Sequence, residues 1–142
     1  MTAKKYLERL KTIDIRIEQK IEELSRLEGI ATSMGNLMYG EKVQKSGTGD
    51  KVANSVSAIV DLQNEINYEI DAFVKEKHTV INQINSLEDS RYIGILFKCY
   101  VEQKDFATIA DEMQYVYGHA LRIHKAALKQ FQREYQMLLD VI

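Results

Sequence analysis

The stretch from Val52 to Leu87, VANSVSAIVDLQNEINYEIDAFVKEKHTVINQINSL, decides the fold class. Its apolar residues recur at alternating steps of four and three residues over about five heptads, the pattern of a coiled-coil or bundle helix. The series reads Val52, Val56, Ile59, Gln63, Ile66, Ile70, Phe73, Lys77, Val80, Ile84 and Leu87, and only Gln63 and Lys77 break its apolar character. Because Val60, Val74 and Ile81 add a flanking line, the apolar face is broad enough to contact more than one helix.

The N-terminal segment repeats this spacing. Its apolar positions are Leu10, Ile13, Ile17, Leu24, Leu27, Ala31, Met34 and Met38. We predict helices over residues 3–38 and 51–88, joined by a loop at 39–50, with Asp50 as N-cap of the second helix. Their similar lengths favour a long antiparallel hairpin over 1–88. Its wide apolar faces need cover, either from homodimerisation through the hairpin or from the C-terminal part folding back.

The composition narrows the class of protein. The chain has 142 residues, a formal net charge of −2, 45% hydrophobic and 28% charged residues, and no proline. This composition is typical of an all-α protein, because with no proline and only seven glycines little in it breaks long helices. The single cysteine, Cys99, has no partner for an internal disulfide and fits a reducing, intracellular setting. No signal peptide and no membrane-spanning segment is expected, because every apolar run is short or interrupted by charges.

The C-terminal part, residues 89–142, is predicted to form shorter helices. Asp89 or Ser90 is placed to cap a short helix in RYIGILFKCYVEQ, and Asp105 to cap a second helix in FATIADEM. The second helix turns one apolar face inward, formed by Phe106, Ile109, Ala110 and Met113. QYVYG supplies a turn of three or four residues before a long helix over Val116–Arg133. A short helix, a tight turn and a longer helix form a helix-turn-helix domain.

The long helix separates its apolar and basic residues. On a helical wheel at about 100° per residue, with His119 at zero, the apolar arc spans about 40–200°. Its members are Ile123, Ala127, Ala120, Phe131, Leu128 and Leu121. A second arc, at about 240–320°, holds four basic residues. This basic stripe consists of Lys125, Lys129, Arg122 and Arg133. No Asp or Glu occurs from residue 114 to 133.

The three histidines are not expected to bind metal. His119 and His124 are five residues apart and diverge by about 140°, whereas two ligands on one helix need a spacing of three or four. His124 falls in the apolar arc and is predicted to be packed with a hydrogen-bond partner. His78 is predicted to be solvated.

The glycines of the loop at 39–50 do not form a phosphate-binding loop. Gly47 and Gly49 lack the preceding strand and the Lys-Ser/Thr that such a loop needs. We therefore expect no cofactor, no metal and no catalytic residues.

The basic stripe has two interpretations. A solvated helix face usually mixes both signs of charge to gain favourable pairs. An all-basic stripe on the second helix of a helix-turn-helix instead fits phosphate and major-groove contact with double-stranded DNA. Arg122 is the candidate for a guanine edge, because its guanidinium can pair with guanine in two-point fashion. The residues expected to hold the DNA backbone are Lys125, Lys129 and Arg133.

The segment RYIGILFKCYVEQKDFATIADEMQYVYGHALRIHKAALKQF resembles the region-4 helix-turn-helix of bacterial sigma factors. The matching elements are Arg91-Tyr92 at the start, Ile109-Ala110 in the first helix and Ala127-Leu128-Lys129 in the second. Over nearly its full length the chain is similar to a family of small phage and prophage proteins. These proteins resemble the ArpU- and RinA-type regulators of phage late genes in their arrangement of helices.

This resemblance implies DNA binding at a promoter, control of phage transcription in the cytoplasm of a bacterial host, and contact with bacterial RNA polymerase. The base-reading positions it implies are Tyr117, Gly118, His119 and Arg122. Two other functions remain open: a terminase small subunit for phage DNA packaging, which would assemble into a ring, and a structural coiled-coil adaptor that does not bind DNA.

Overall fold

The structure, a computed structural model, describes the backbone of residues 1–40 and 46–142 and the side chains of 1–34, 51 and 53–142. Every regular element in these residues is helical, and they contain no strand. The prediction of an all-α fold is therefore confirmed.

Six α-helices and one π-helical segment make up the described chain. They are α1 (Ala3–Gly40), α2 (Ser46–Asn85), α3 (Ser90–Leu96), the π-helical segment Phe97–Val101, α4 (Phe106–Met113), α5 (Tyr117–Glu134) and α6 (Gln136–Val141).

The boundary between the two long helices differs from the prediction. The loop was predicted over 39–50, but α1 continues to Gly40 and α2 already begins at Ser46, while 41–45 lie outside the described residues. Asp50 lies inside α2, so its predicted role as N-cap is wrong. Glycine costs a helix only about 1 kcal/mol relative to alanine, and serine and threonine cost less, so a helix once formed can continue through such residues.

The described residues pack into two compact units. The first consists of 1–15 and 75–142, and the second of 16–74. The packing thus joins the start of α1 and the end of α2 to the C-terminal helices. A division of the chain into 1–88 and 89–142 stays a prediction.

The first unit contains nearly all of the buried core. Helices α1 and α2 contribute Ala3, Tyr6, Leu7, Leu10, Ile13, Val80 and Ile84, and the rest of the chain contributes Leu87, Ile95, Leu96, Tyr100, Ile109, Ala110, Ala120, Ile123, Ala127, Phe131 and Leu139. The Tyr6 and Phe131 rings lie 6.0 Å apart, and the Ala3 amide donates to Gln132 Oε1 at 2.7 Å. Here the C-terminal part of the chain covers the apolar face of the first turns of α1.

The second unit consists of paired segments of the two long helices. Lys20 Nζ lies 2.7 Å from Glu69 Oε2, and the Arg16 guanidinium lies over the Phe73 ring. Among the described side chains of this unit, Ile66 alone is buried. Several large apolar side chains are exposed, namely Ile21, Ile30, Val60, Leu62, Tyr68 and Val74. This unit therefore leaves a large apolar surface open to solvent.

No helix in the described residues combines the length and the apolar character needed to cross a membrane.

Candidate nucleic-acid interface

Helix α4 begins at a capping aspartate, as predicted. Asp105 has an extended backbone, and its Oδ1 accepts a hydrogen bond from the Thr108 amide at 2.8 Å. That backbone hydrogen bond holds the pKa of the Asp105 carboxyl below its usual value. Asp89 caps α3 in the same way by accepting from the Arg91 amide at 2.9 Å. Both capping predictions are confirmed.

The turn after α4 is closed by a residue in the left-handed conformation. Gln114 has φ 59°, its amide donates to Asp111 O at 3.1 Å, and the Tyr115 amide donates to Ala110 O at 2.8 Å. This pair of bonds is the usual way in which a left-handed residue ends a helix. The turn spans 114–116, so Tyr117 and Gly118 belong to the first turn of α5 and not to the predicted QYVYG turn.

One side of α5 faces the core. The prediction is confirmed for its buried positions, which are Ala120, Ile123, Ala127 and Phe131. Leu128, farther round the helix, is half-buried. Leu121, which the wheel placed in the apolar arc, is 40% exposed. Its assignment to the core is wrong, because α3 and α4 cover a narrower sector of α5 than the sequence pattern suggested.

His124 is packed, as predicted. Its Nε2 lies 2.8 Å from Tyr100 Oη, and its ring contacts the Phe106 ring edge-on at 4.8 Å. Burial, and to a lesser extent the positive charge of Lys4, lowers the pKa of His124. The imidazole therefore serves as a neutral, half-buried hydrogen-bonding group between α5 and the π-helical segment. His78 is exposed on α2, also as predicted.

The opposite side of α5 carries the basic stripe. Arg122, Lys125, Lys129 and Arg133 are all exposed. Within the described part of the chain, none of the four forms an ion pair with a carboxylate. Many other bases are paired: Lys20 with Glu69, Lys77 with Asp14 and Lys104 with Glu112, each at 2.7 Å. The charges of the stripe are thus available to an anionic partner.

The remaining predicted site residues lie at the start of α5. Tyr117 and Gly118 are exposed, and His119 is half-buried with its ring against the Tyr115 ring at 4.7 Å. The Gly118 backbone does not have positive φ, and a Cβ atom added to it would meet only Arg122 Nη1, at 3.6 Å. Neither backbone conformation nor packing requires a glycine at this position.

Sequence reasoning missed an apolar patch next to the stripe. Val116 is 73% exposed, Tyr117 54% and Leu121 40%. A signal was present in the sequence: Leu121 lies at the edge of the apolar arc, four residues from both Tyr117 and Lys125. Position alone does not reveal whether such an edge residue is covered.

The N-terminus of α5 differs from those of α3 and α4. Its N-cap is Val116, which makes no side-chain cap hydrogen bond. The first amides of α5 and the positive end of its dipole therefore lack the carboxylate that Asp89 and Asp105 supply to α3 and α4. Such a terminus suits a phosphate oxygen.

A cavity of about 510 Å³ opens elsewhere in the same unit, lined by Cys99 and Tyr100 together with α1 side chains. Burial raises the pKa of the Cys99 thiol, so the sulfur keeps its proton and is a weak nucleophile. In the ranges that the structure describes, no group of three His, Cys, Asp or Glu side chains is arranged to hold a metal ion. The basic stripe remains the feature with the clearest chemistry.

No protein-family model, curated protein or solved structure matches this chain.

Proposed function

We propose that this protein is a phage-type DNA-binding transcription regulator in which α4, the turn at 114–116 and α5 act as a sigma region-4-like helix-turn-helix. Helix α5 docks in the major groove at a promoter. The observation that carries the proposal is the basic stripe, four exposed bases without an ion-pair partner in the described residues, on the side of α5 opposite its buried face.

The energetics of the stripe favour a ligand over a solvated face. Lys125 and Lys129 are four residues apart, as are Lys129 and Arg133, and each such like-charge pair destabilises a helix by about 0.2–0.5 kcal/mol. Arg133 lies in the last turn, where the helix dipole favours a cation, but Arg122 and Lys125 do not. Most of these charges therefore do not stabilise the folded protein. Contact with DNA phosphates would neutralise them and remove their mutual repulsion.

The side chains have distinct roles in this proposal. Arg122, on the second turn of α5, pairs in two-point fashion with a guanine edge. Tyr117 and His119 contact bases or phosphates near the start of the helix, where Gly118 leaves the backbone bare. The phosphate contacts that fix the register come from Lys125, Lys129 and Arg133.

A homodimer through an antiparallel helical hairpin completes the proposal. The second unit supports it, because early residues of α1 pair with late residues of α2 while Ile21, Ile30 and Val60 stay exposed. A second copy would bury these side chains, at about 25 cal/mol for each Å² of apolar surface removed from water. The dimer would place two reading helices on one DNA. Contact with RNA polymerase in a bacterial cytoplasm follows from the sequence resemblance alone.

DNA binding is tested by fluorescence anisotropy. The duplexes are about 30 base pairs long, roughly three turns of DNA, and are selected from a pool of random sequences. The variant Arg122→Glu/Lys125→Glu/Lys129→Glu is expected to lose binding. The matched control is Lys5→Glu/Lys11→Glu/Lys75→Glu, which makes the same change in net charge at three other exposed bases without ion-pair partners in the described residues.

The control is expected to bind nearly as wild type does. Equal loss in both variants would show that overall charge, and not the stripe, drives binding. Absence of binding by wild type itself would favour the structural adaptor. A many-subunit ring would favour DNA packaging.

A further inference from the structure

The apolar patch at the start of α5 consists of Val116, Tyr117 and Leu121. These side chains are 73%, 54% and 40% exposed, and Tyr117 and Leu121 lie one helical turn apart on the surface of α5. Burying such side chains is normally favourable, so an exposed group of them is expected to have a partner.

The position of the patch identifies the kind of partner. Leu121 lies one turn after Tyr117 and one turn before Lys125, so the patch adjoins the basic stripe on the outer side of α5. The nearest charged residues to Leu121 along α5 are Arg122 and Lys125, and no acidic residue occurs between 114 and 133. A partner must therefore offer apolar groups flanked closely by negative charge.

Duplex DNA meets both requirements. In the major groove the 5-methyl group of thymine is the apolar group that the bases present, and phosphates line both edges of the groove. We infer that Leu121, with Tyr117 beside it, packs on thymine 5-methyl groups and makes this protein prefer thymine at positions adjacent to the base that Arg122 contacts. This inference rests on the proposed function and adds a specificity-determining residue to it.

The test compares thymine with deoxyuridine, which lacks only the methyl group. Duplexes selected from the random pool are resynthesised with deoxyuridine at each thymine in turn, and affinities are measured by anisotropy. Wild type is expected to lose about fourfold in affinity for each contacted methyl group. Leu121→Ala is expected to lose the preference for thymine at the position that Leu121 contacts. The matched control is Leu138→Ala, a leucine 36% exposed on α6, and it should keep the wild-type preference for thymine.

The outcomes separate this inference from the proposed function. If wild type binds DNA through the basic stripe but does not distinguish thymine from deoxyuridine, the methyl contact is excluded and a protein partner becomes the better occupant of the patch. If Leu121→Ala keeps the preference for thymine, Leu121 is not the residue that reads it. If wild type shows no DNA binding at all, the proposed function itself fails.

Discussion

Gly118 occupies the first turn of α5 although neither packing nor backbone conformation requires a glycine there. Alanine favours a helix over glycine by up to about 1 kcal/mol, so Gly118→Ala should raise the midpoint of urea unfolding. If the bare backbone lets DNA approach closely, the added methyl group should also weaken DNA binding severalfold. Stability and DNA affinity should therefore change in opposite directions.

Gly29→Ala is the control for this prediction. Gly29 lies within α1, and a Cβ atom there would meet nothing within 4 Å. It should also stabilise the protein but leave DNA affinity unchanged. Unchanged DNA affinity of Gly118→Ala would refute a close approach at this position.

His124 makes stability depend on pH. Burial lowers its pKa from the ordinary 6.5, so the unfolded chain takes up a proton at a higher pH than the folded chain does. The contribution of neutral His124 is fully present above about pH 6.5 and is lost as the pH falls from there towards the pKa of the folded state. Melting temperatures measured between about pH 7.5 and pH 5 should fall more steeply for wild type than for His124→Gln.

His78→Gln is the matched control, because His78 is exposed. Its pH profile should equal that of wild type, and carboxylates that titrate at low pH contribute alike to every protein compared. A wild-type profile parallel to that of His124→Gln would contradict the packed, neutral imidazole that contacts Tyr100.

At the scale of elements, the turn between α4 and α5 depends on Gln114. Its φ of 59° is left-handed, a conformation that costs a non-glycine residue about 1–2 kcal/mol. Gln114→Gly should remove this cost and, after the entropy lost on fixing a glycine, stabilise the protein by about 0.5–1 kcal/mol. The measurement is the midpoint of urea unfolding at unchanged m-value.

Gln103 offers a comparison because it also has positive φ, at 56°. Its side-chain amide, however, donates to Asp14 Oδ2 at 2.9 Å, a bond that is worth about 1 kcal/mol and that glycine would lose. Gln103→Gly should therefore give little net gain. If Gln114→Gly destabilised the protein, the left-handed cost at the turn would be refuted.

The sequence predicts the elements that have local signals. Asp89 and Asp105 are capping residues placed just before apolar helical patterns, and both act as caps. The π-helical segment Phe97–Val101 has no such signal: it is defined by bonds such as that from the Glu102 amide to Phe97 O, which tertiary packing selects. The exposure of Leu121 likewise depends on which neighbours cover α5.

At the scale of the whole molecule, packing joins segments that lie far apart in the chain. The heptads predict that α1 and α2 are long helices, but not that the first turns of α1 pack on α5. That packing depends on contacts such as Tyr6 with Phe131 and the Ala3 amide with Gln132, more than a hundred residues apart in sequence. A periodic apolar pattern defines a face and leaves its partner undefined.

The exposed apolar residues of the second unit predict a dimer. Val60→Glu/Val74→Glu should convert it to a monomer, because a buried interface does not accept unpaired carboxylates. Ser57→Glu/Asn64→Glu adds the same charge at exposed polar positions of α2 and should leave the dimer intact. Molar mass is measured by light scattering, with helix content checked by circular dichroism. A monomeric wild type would rule out the dimer.

The central claim is that the basic stripe of α5 contacts DNA phosphates, and the salt dependence of DNA affinity tests it most directly. Three phosphate contacts, from Lys125, Lys129 and Arg133, should give a slope of log K against log salt of about −2.7 per chain, from about 0.9 for each contact. Arg122→Ala/Lys125→Ala/Lys129→Ala leaves Arg133 alone in the stripe, and the slope should shrink to about −0.9. Equal slopes for the two proteins would contradict the claim, since the phosphate contacts would then lie elsewhere on the molecule.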